Sequence, residues 1–309
     1  MVNTNYEKAM ETQVNFSSYS NLFHGVARLG LLLGTLDLSW PCVIPYVAKF
    51  SEELNAYQEL SLDGTGTTLG LMTHGTGKDF AFRVARYMET HSIDEDRLRR
   101  FLVRARFFEH CSLFFKVEIT SEGPIEFSYY FRQRASLEVA RAWLIDTGVD
   151  VESLALLDTC AQVLQKKTVH FLAAAECTNG DSVQKVYFSQ PEDGKAWERA
   201  YQAGQYVGLT EDSWHPLKPH KAVLIHHPLF FSLAFANGQL LPGAKLDVQG
   251  VDPNTVEALM KETGQSQEAC DRTRLLLELF EKGKFDYLGL RLRPNAALTT
   301  KVYAYRSSP

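Results

Sequence analysis

The sequence predicts an α+β fold: a ten-stranded antiparallel β-barrel surrounded by α-helices. Three observations lead there. Short strand-like runs come in hairpin pairs, amphipathic helical stretches follow each pair, and along the strands apolar residues alternate with lysine, arginine and tyrosine. Hairpins pair antiparallel, helices inserted between them must cover one face of the sheet, and ten twisted strands lose their exposed edges by closing on themselves. A flat α+β sheet is the alternative. No Pro/Ser-rich linker or low-complexity run divides the 309 residues, so a single domain spanning 1–309 is expected.

The elements follow in order. The first pair is Thr67–Thr73 and Asp79–Tyr87, joined by HGTGK, where Gly75 and Gly77 supply the positive φ of a tight turn. The helix IDEDRLRRFLVRARFF comes next, with Asp94 and Glu95 suited to its N-terminal dipole. The second pair is SLFFKVEIT and IEFSYYFRQ. It leads into SLEVARAWLIDTG, a helix ending at Gly148 as a C-cap, and then into VESLALLDTCAQVLQK. The third pair is TVHFLAAAE and QKVYFSQ, followed by the helix DGKAWERAYQAG. The fourth is LFFSLAF and AKLDVQG, followed by helices near Pro253–Thr263 and Gln267–Lys282. The fifth is FDYLGLRLR and TTKVYAYR.

Alternate residues of a strand share a face. One face gathers Phe80, Phe82 and Val84, then Leu113, Phe115, Val117 and Ile119, then Val186 and Phe188, Leu246 and Val248, and Leu288, Leu290 and Leu292. It suits packing against helices. The other face gathers Arg83, Lys116, Glu118, Tyr130, Arg132, Lys185, Tyr187, Lys245, Asp247, Tyr287, Arg291, Arg293, Lys301, Tyr303 and Tyr305. If helices cover the first face, the second lines the barrel interior. Enclosed cations are costly unless an anion joins them, and clustered lysine and arginine suit a phosphate or diphosphate. Tyrosine faces stabilise a neighbouring cation. Solvated strand faces are the alternative for any one of these residues.

Composition sets further bounds. The sequence is 45% hydrophobic and 22% charged with a net charge of −5, which suits a globular chain and argues against a nucleic-acid partner. Five widely spaced cysteines without a CxxC suggest neither a zinc ribbon nor a redox motif. The polar start MVNTNYEKAMETQ lacks the pattern of a signal peptide, and the stretch Val26–Leu38 is too short and too charged to span a bilayer. A cytoplasmic location without a membrane span is expected. HGTGKD lacks the spacing of a P-loop, and DDxxD, GxSxG and HExxH are absent.

The ordered set of pairs, together with KVYF, KLDV and KVYAYR, LGLMTHG with KDFAFRVA, and LLLGTLDLSWPCVIPYVAKF near the N-terminus, resembles the soluble aromatic prenyltransferases of the ABBA (α-β-β-α barrel) family, including small cyanobacterial indole-alkaloid enzymes. The likeness covers nearly the whole chain and rests on no single specific motif. It implies transfer of a dimethylallyl or geranyl group from its diphosphate to an electron-rich aromatic acceptor, an indole alkaloid by first preference. The alternative is a non-catalytic barrel binding a phosphorylated or aromatic small molecule. Carried over by position, Arg83 matches a recurring strand arginine, and Lys185, Lys245 and Arg293 are further diphosphate ligands. Lys116, Arg132, Arg291, Lys301 and Tyr305, on the same face, complete that set. Tyr187, Tyr303 and Tyr130 would shield the allylic cation. The strand pair beginning at Thr67 lacks the glutamate that some indole-prenylating members use as a base, leaving Glu118 and Asp247 as substitutes. The resemblance implies that the chemistry needs no cofactor; it leaves Mg2+ open, with Asp79 as its ligand. Oligomeric state is not legible.

Overall fold

The structure is a computed structural model that describes residues 49–50, 52–54, 58–91, 93–107 and 111–305. The stretches Val26–Leu38 and MVNTNYEKAMETQ, Cys42, and all but the last two residues of LLLGTLDLSWPCVIPYVAKF lie outside the described residues.

Ten strands form the wall. They are β1 (Glu59–Asp63), β2 (Leu69–Thr76), β3 (Ser112–Thr120), β4 (Gly123–Phe131), β5 (Phe171–Cys177), β6 (Ser182–Gln190), β7 (Leu229–Ala236), β8 (Ala244–Gln249), β9 (Tyr287–Leu292) and β10 (Thr299–Tyr305). Each pairs antiparallel with its neighbours in chain order, and β1 pairs with β10. The ladder from Val183↔Ala236 to Gln190↔Leu229 joins β6 to β7, so the ring has no gap and the flat-sheet alternative fails. A short strand Gln239–Leu240 extends β7, and Ala135–Ser136 pairs with Thr168–Val169 outside the ring.

The helices between hairpins are α1 (Gly77–Thr90), α2 (Glu95–Phe107), α3 (Leu137–Asp146), α4 (Val151–Val163), α5 (Gly194–Tyr206), α6 (Pro253–Glu262) and α7 (Gln267–Leu279). Ser136, Asp150, Asp193, Asp252 and Ser266 each accept a backbone N–H at the start of α3 through α7. Gly148 has φ +84° just past α3, as a C-cap requires. The predicted apolar face of the strands from β3 onward is buried: Phe115, Val117, Ile119, Val186, Phe188, Leu246, Val248, Leu288, Leu290 and Leu292 are at most 1% exposed. Burial of one such side chain stabilises by about 1.5–3 kcal/mol.

The first hairpin departs from expectation. Asp79–Tyr87 is no strand; it lies in α1, whose buried residues are Phe80, Val84, Tyr87 and Met88. That spacing of four, seven and eight is helical. The alternation Phe80, Phe82, Val84 imitates a strand, yet Phe82 is 59% exposed. The true partner of β2 is β1, ELSLD, whose five residues alternate outward leucines with inward polar groups. The number of strands is therefore ten as predicted, with a different first member. Gly77 has φ +77° at the junction of β2 and α1. Gly75 does not share that conformation; it leaves room for Phe80, whose ring would lie 2.4 Å from an added Cβ.

Candidate active site

The inward residues sort into layers because each strand crosses the barrel from one end to the other and successive strands run oppositely. Running upward, β4 presents Glu126, Ser128, Tyr130 and then Arg132 just past its end; β6 presents Lys185 then Tyr187; β8 presents Lys245 then Asp247; and β10 presents Lys301, Tyr303 and Tyr305. Running downward, β3 gives Phe114, Lys116 and Glu118, and β9 gives Tyr287, Gly289 and Arg291, with Arg293 just past its end. One half of the lumen is thus charged and the other aromatic.

The charged half is a cavity of about 430 Å³ whose lining includes Lys116, Lys185, Lys245, Lys301, Arg291 and Arg293. The aromatic half is a smaller chamber of about 70 Å³, walled by Glu59, Met72, Phe114, Tyr130, Arg132, Phe171, Tyr187, Phe230, Lys245, Asp247, Tyr287, Tyr303 and Tyr305. Tyr130, Tyr187, Tyr303 and Lys245 line both and form the partition. Burial pushes the three phenols well above the ordinary tyrosine range, so they stay neutral. The Tyr303 ring meets two cations directly: the Lys116 and Lys245 ammonium groups lie 4.7 and 4.9 Å from its centre.

Each lumen lysine has a resident carboxylate. Glu118 pairs with Lys116 at 3.3 Å and also with Lys301, Glu126 pairs with Lys185 at 3.4 Å, and Asp247 pairs with Lys245 at 2.5 Å. Lys245 also donates to the Tyr303 hydroxyl at 2.8 Å. Burial opposes the charge on Lys116, but Glu118, Glu59 and Glu126 outweigh it and hold its pKa above the ordinary lysine value. For Lys301 burial wins and lowers the pKa to about 8. Burial raises Glu118, yet Lys301 and Lys116 hold it well below the usual carboxylate range. Two glycines make this crowding feasible. A Cβ at Gly70 would lie 2.5 Å from Lys116 Cε, and one at Gly289 would lie 3.0 Å from both Lys245 Cε and Asp247 Oδ1.

The predicted site residues fall into three groups. Lys116, Lys185, Lys245, Lys301, Arg291, Arg293, Glu118, Tyr130, Tyr187 and Tyr303 line the charged cavity or its partition. Arg132, Tyr305 and Asp247 face the aromatic chamber, so Arg132 and Tyr305 are displaced from the diphosphate set. Arg83 and Asp79 do not reach the lumen; both are exposed on α1, where Arg83 stacks over Phe80 at 5.3 Å. Asp79 does not fit a Mg2+ ligand at the anion cavity, and no group of three metal-ligating side chains occurs among the described residues.

The sequence reading also missed Glu59. This glutamate stands at the start of the true first strand, opposite Met72 on β2 and Tyr305 on β10. It is 3% exposed; burial raises its pKa, against the pull of Lys116 and a hydrogen bond from Tyr305. The absence of a first-strand glutamate is thus corrected. The period-two pattern of ELSLD was its available signal. Glu126 and the wall residues Phe114, Phe171 and Phe230 were missed as well.

No protein-family model matches the sequence, and no curated protein matches it. Solved structures do match. The 5-dimethylallyltryptophan synthase from Streptomyces coelicolor superposes with a TM-score of 0.63 at 12% identity, over 93% of this chain and 97% of that one. The 6-dimethylallyltryptophan synthase from Micromonospora olivasterospora, in complex with DMASPP and Trp, gives 0.62 at 16%, over 94% and 98%. NotF, in complex with brevianamide F and DMSPP, gives 0.70 at 12%, over 98% of each chain. The fold is the ABBA prenyltransferase barrel. An ABBA barrel accounts for the ring of hairpins, and its lumen is where both cavities of this chain lie. Among the described residues, no helix is long and apolar enough to cross a membrane.

Proposed function

We propose that the chain is an aromatic prenyltransferase that moves a dimethylallyl or geranyl group from its diphosphate to an indole ring. The observation that carries this reading is the partition: three neutral tyrosines stand between a cavity of enclosed cations and an aromatic chamber with two buried carboxylates, Glu59 and the lysine-paired Asp247. The likeness in fold to tryptophan prenyltransferases, some bound to a dimethylallyl thiolodiphosphate and tryptophan, adds support.

The diphosphate would lie among Lys116, Lys185, Lys245 and Lys301, with Arg291 and Arg293 at the opening. These charges stabilise the negative charge that builds on the leaving oxygen as the allylic C–O bond breaks. The allylic carbon, gaining positive charge, sits against Tyr130, Tyr187 and Tyr303. The acceptor ring attacks it from the aromatic chamber, with its N–H donated to Glu59. An ionised Glu59 stabilises the positive charge that spreads over the ring. The proton displaced from the attacking ring carbon passes to the departing diphosphate, which balances the reaction. Enclosure keeps water from capturing the cation.

Charge on the diphosphate is met here by ammonium and guanidinium groups, without a metal. Of the carboxylates lining that cavity, Glu118 and Glu126 are each already held by a lysine, and Asp63 accepts the backbone N–H groups of Thr67 and Thr68. The test is incubation with dimethylallyl and geranyl diphosphate against a panel of indoles and phenols, with and without EDTA, read by mass. A prenylated indole and released diphosphate, at rates within about twofold across EDTA, are expected. Diphosphate binding with no transfer to any acceptor would instead support the non-catalytic barrel.

A further inference from the structure

The outer side of the barrel wall holds a charged group that the reaction above does not use. Glu176 of β5 is fully buried there, against α2. Its carboxylate is held from three elements. Arg104 of α2 donates to Oε1 at 3.0 Å, Tyr129 of β4 and Ser182 of β6 donate to it at 3.2 Å each, and Arg100 of α2 pairs with Oε2 at 3.4 Å. Arg104 also donates to the Tyr129 hydroxyl at 2.6 Å and lies 6.0 Å from the centre of the Trp143 ring. With its amide turned to satisfy both ends, Gln184 of β6 accepts from Arg104 at 3.1 Å and donates to the Phe235 carbonyl of β7 at 3.0 Å. One network thus ties four consecutive strands to one helix. A buried ion pair adds little stability over well-packed apolar groups, and its best-attested use is to fix a register.

The register in question is one that nothing local sets. β5 and β6 form a hairpin, and its short turn fixes their mutual pairing. That hairpin joins β4 only through α3 and α4, and joins β7 only through α5 and the segment after it. Its apolar pattern leaves sliding open. β4 turns an aromatic ring outward at Phe127, Tyr129 and Phe131 alike, and the middle of β5 is Ala173, Ala174 and Ala175. A slip of two residues would keep every side chain on its own face while moving the hairpin by about 7 Å. It would also carry Glu176 away from Tyr129 and Arg104, leaving a buried carboxylate and a buried guanidinium apart, which only the observed register avoids.

Inside the barrel the same register builds the partition. Phe171 of β5 is stacked on Tyr187 at 4.2 Å and edge-on to Tyr130 at 6.1 Å, and Lys185 of β6 meets Glu126 of β4 at 3.4 Å. We infer that Glu176 is a positioning residue: its network outside the wall locks the β5–β6 hairpin against β4 and so keeps Phe171, Tyr187 and Tyr130 closed around the allylic carbon. This inference rests on the transferase reading for its catalytic meaning.

The experiment separates register from turnover. The triple variant Arg104→Met, Tyr129→Phe, Glu176→Leu replaces the network by apolar groups, so its melting temperature should equal or exceed that of the wild type. Hydrogen exchange of the 171–177 and 182–190 amides needs no acceptor and should quicken by about tenfold or more, with α6 and α7 unchanged. In turnover of dimethylallyl diphosphate with an indole that the wild type prenylates, the loosened partition admits water. Diphosphate released per prenylated ring should rise from about one to about two or more, with dimethylallyl alcohol making up the difference. Arg104→Lys, which keeps the charge, should hold both readouts closer to the wild type than Arg104→Met does. Faster exchange in a protein that prenylates no acceptor in either form would keep the register lock and sink the transferase reading. Unchanged exchange with a wild-type product ratio, whether or not the melting temperature falls, would make the network a plain structural contact, overturning the inference and leaving transfer standing.

Discussion

Replacing Gly70 by alanine tests the anion cavity from behind. The added Cβ would lie 2.3 Å from Ser61 Oγ, 2.5 Å from Lys116 Cε and 3.1 Å from Lys116 Nζ. The flexible lysine must yield, and it is 1% exposed, so it has no solvent route. Its ammonium would leave the Tyr303 face and the Glu118 carboxylate together. Overpacking of this kind costs about 1–3 kcal/mol of stability. If Lys116 holds the diphosphate, a charge-assisted hydrogen bond of about 1.5–3 kcal/mol is lost as well, about 10- to 150-fold in Kd. Gly289→Ala is the graded companion: its closest contacts are 3.0 Å, so Lys245 and Asp247 need shift by only a few tenths of an ångström and the loss should be smaller. Gly75→Ala is the control, because its Cβ would meet the Phe80 ring at 2.4 Å, outside the lumen. Thermal unfolding reads stability, and titration with dimethylallyl S-thiolodiphosphate reads affinity. If Gly70→Ala and Gly75→Ala lose stability alike and both keep donor affinity, Lys116 is no diphosphate ligand and the assignment of the charged half is refuted.

Three further outcomes follow from the same electrostatics. Glu59→Gln removes the negative charge that stabilises the cationic ring and should lower kcat by about 100-fold or more while donor and acceptor still bind. Because burial raises the Glu59 pKa, the folded state binds its proton more tightly than the unfolded chain, so stability falls as pH rises above the ordinary glutamate range. The glutamine should therefore raise the melting temperature at neutral pH, by about 2–4 °C per kcal/mol of cost removed, and an unchanged kcat would rule Glu59 out. Lys301, lowered to about 8, loses its charge above that pH, so affinity for inorganic diphosphate should fall as pH rises through 8. Free-protein stability should rise over the interval up to the ordinary lysine pKa, where the unfolded chain holds the extra proton; a flat affinity from pH 7 to 9 would contradict this. Glu118→Gln should tighten diphosphate binding several-fold by removing the anion that occupies Lys116 and Lys301, while lowering stability by a few kcal/mol through two uncompensated buried ammoniums. Weaker diphosphate binding in that variant would show that Glu118 orders the lysines more than it competes for them.

The strands β3, β4, β6 and β8 to β10 were legible because each carries an alternation with one face apolar and the other charged or phenolic, and a one-residue slip would have buried every lysine under a helix, whereas β5 and β7, with no cation or phenol on either face, were legible only as hairpin partners. The first hairpin was not, for two separate reasons. DFAFRVARYMET satisfies a strand period at Phe80, Phe82 and Val84 and a helix period at Phe80, Val84, Tyr87 and Met88, and only the 59% exposure of Phe82 separates them. ELSLD is five residues long, too short for its alternation to outweigh the longer pattern nearby. Arg83, Asp79 and Glu59 were all misjudged through this single error. The separation of Arg132 and Tyr305 from the diphosphate set had a different cause. Facing the lumen is a property of the strand period, but height along the barrel depends on register, which local sequence does not state.

The pairing of every cavity lysine with a carboxylate has an electrostatic logic that the tyrosine partition makes specific. Four ammoniums close together in the lumen, one buried and three half-buried, would repel one another, and several would lose their protons before an anion arrived. Resident carboxylates keep most of them charged in the free protein, at the expense of competing with the incoming diphosphate. Lys301 shows the margin: even with Glu118 beside it, its pKa is only about 8. A diphosphate brings more negative charge than any one carboxylate and can bridge several lysines at once, so it wins by charge and by reach. Once the diphosphate sits among them, the lysines no longer depend on Glu118 and Glu126, and the positive charge that remains uncompensated is that of the ionising allylic carbon. The nearest groups able to share it are the π faces of Tyr303, Tyr187 and Tyr130, and beyond them the acceptor ring. The same arrangement that binds the donor therefore directs its cation across the partition.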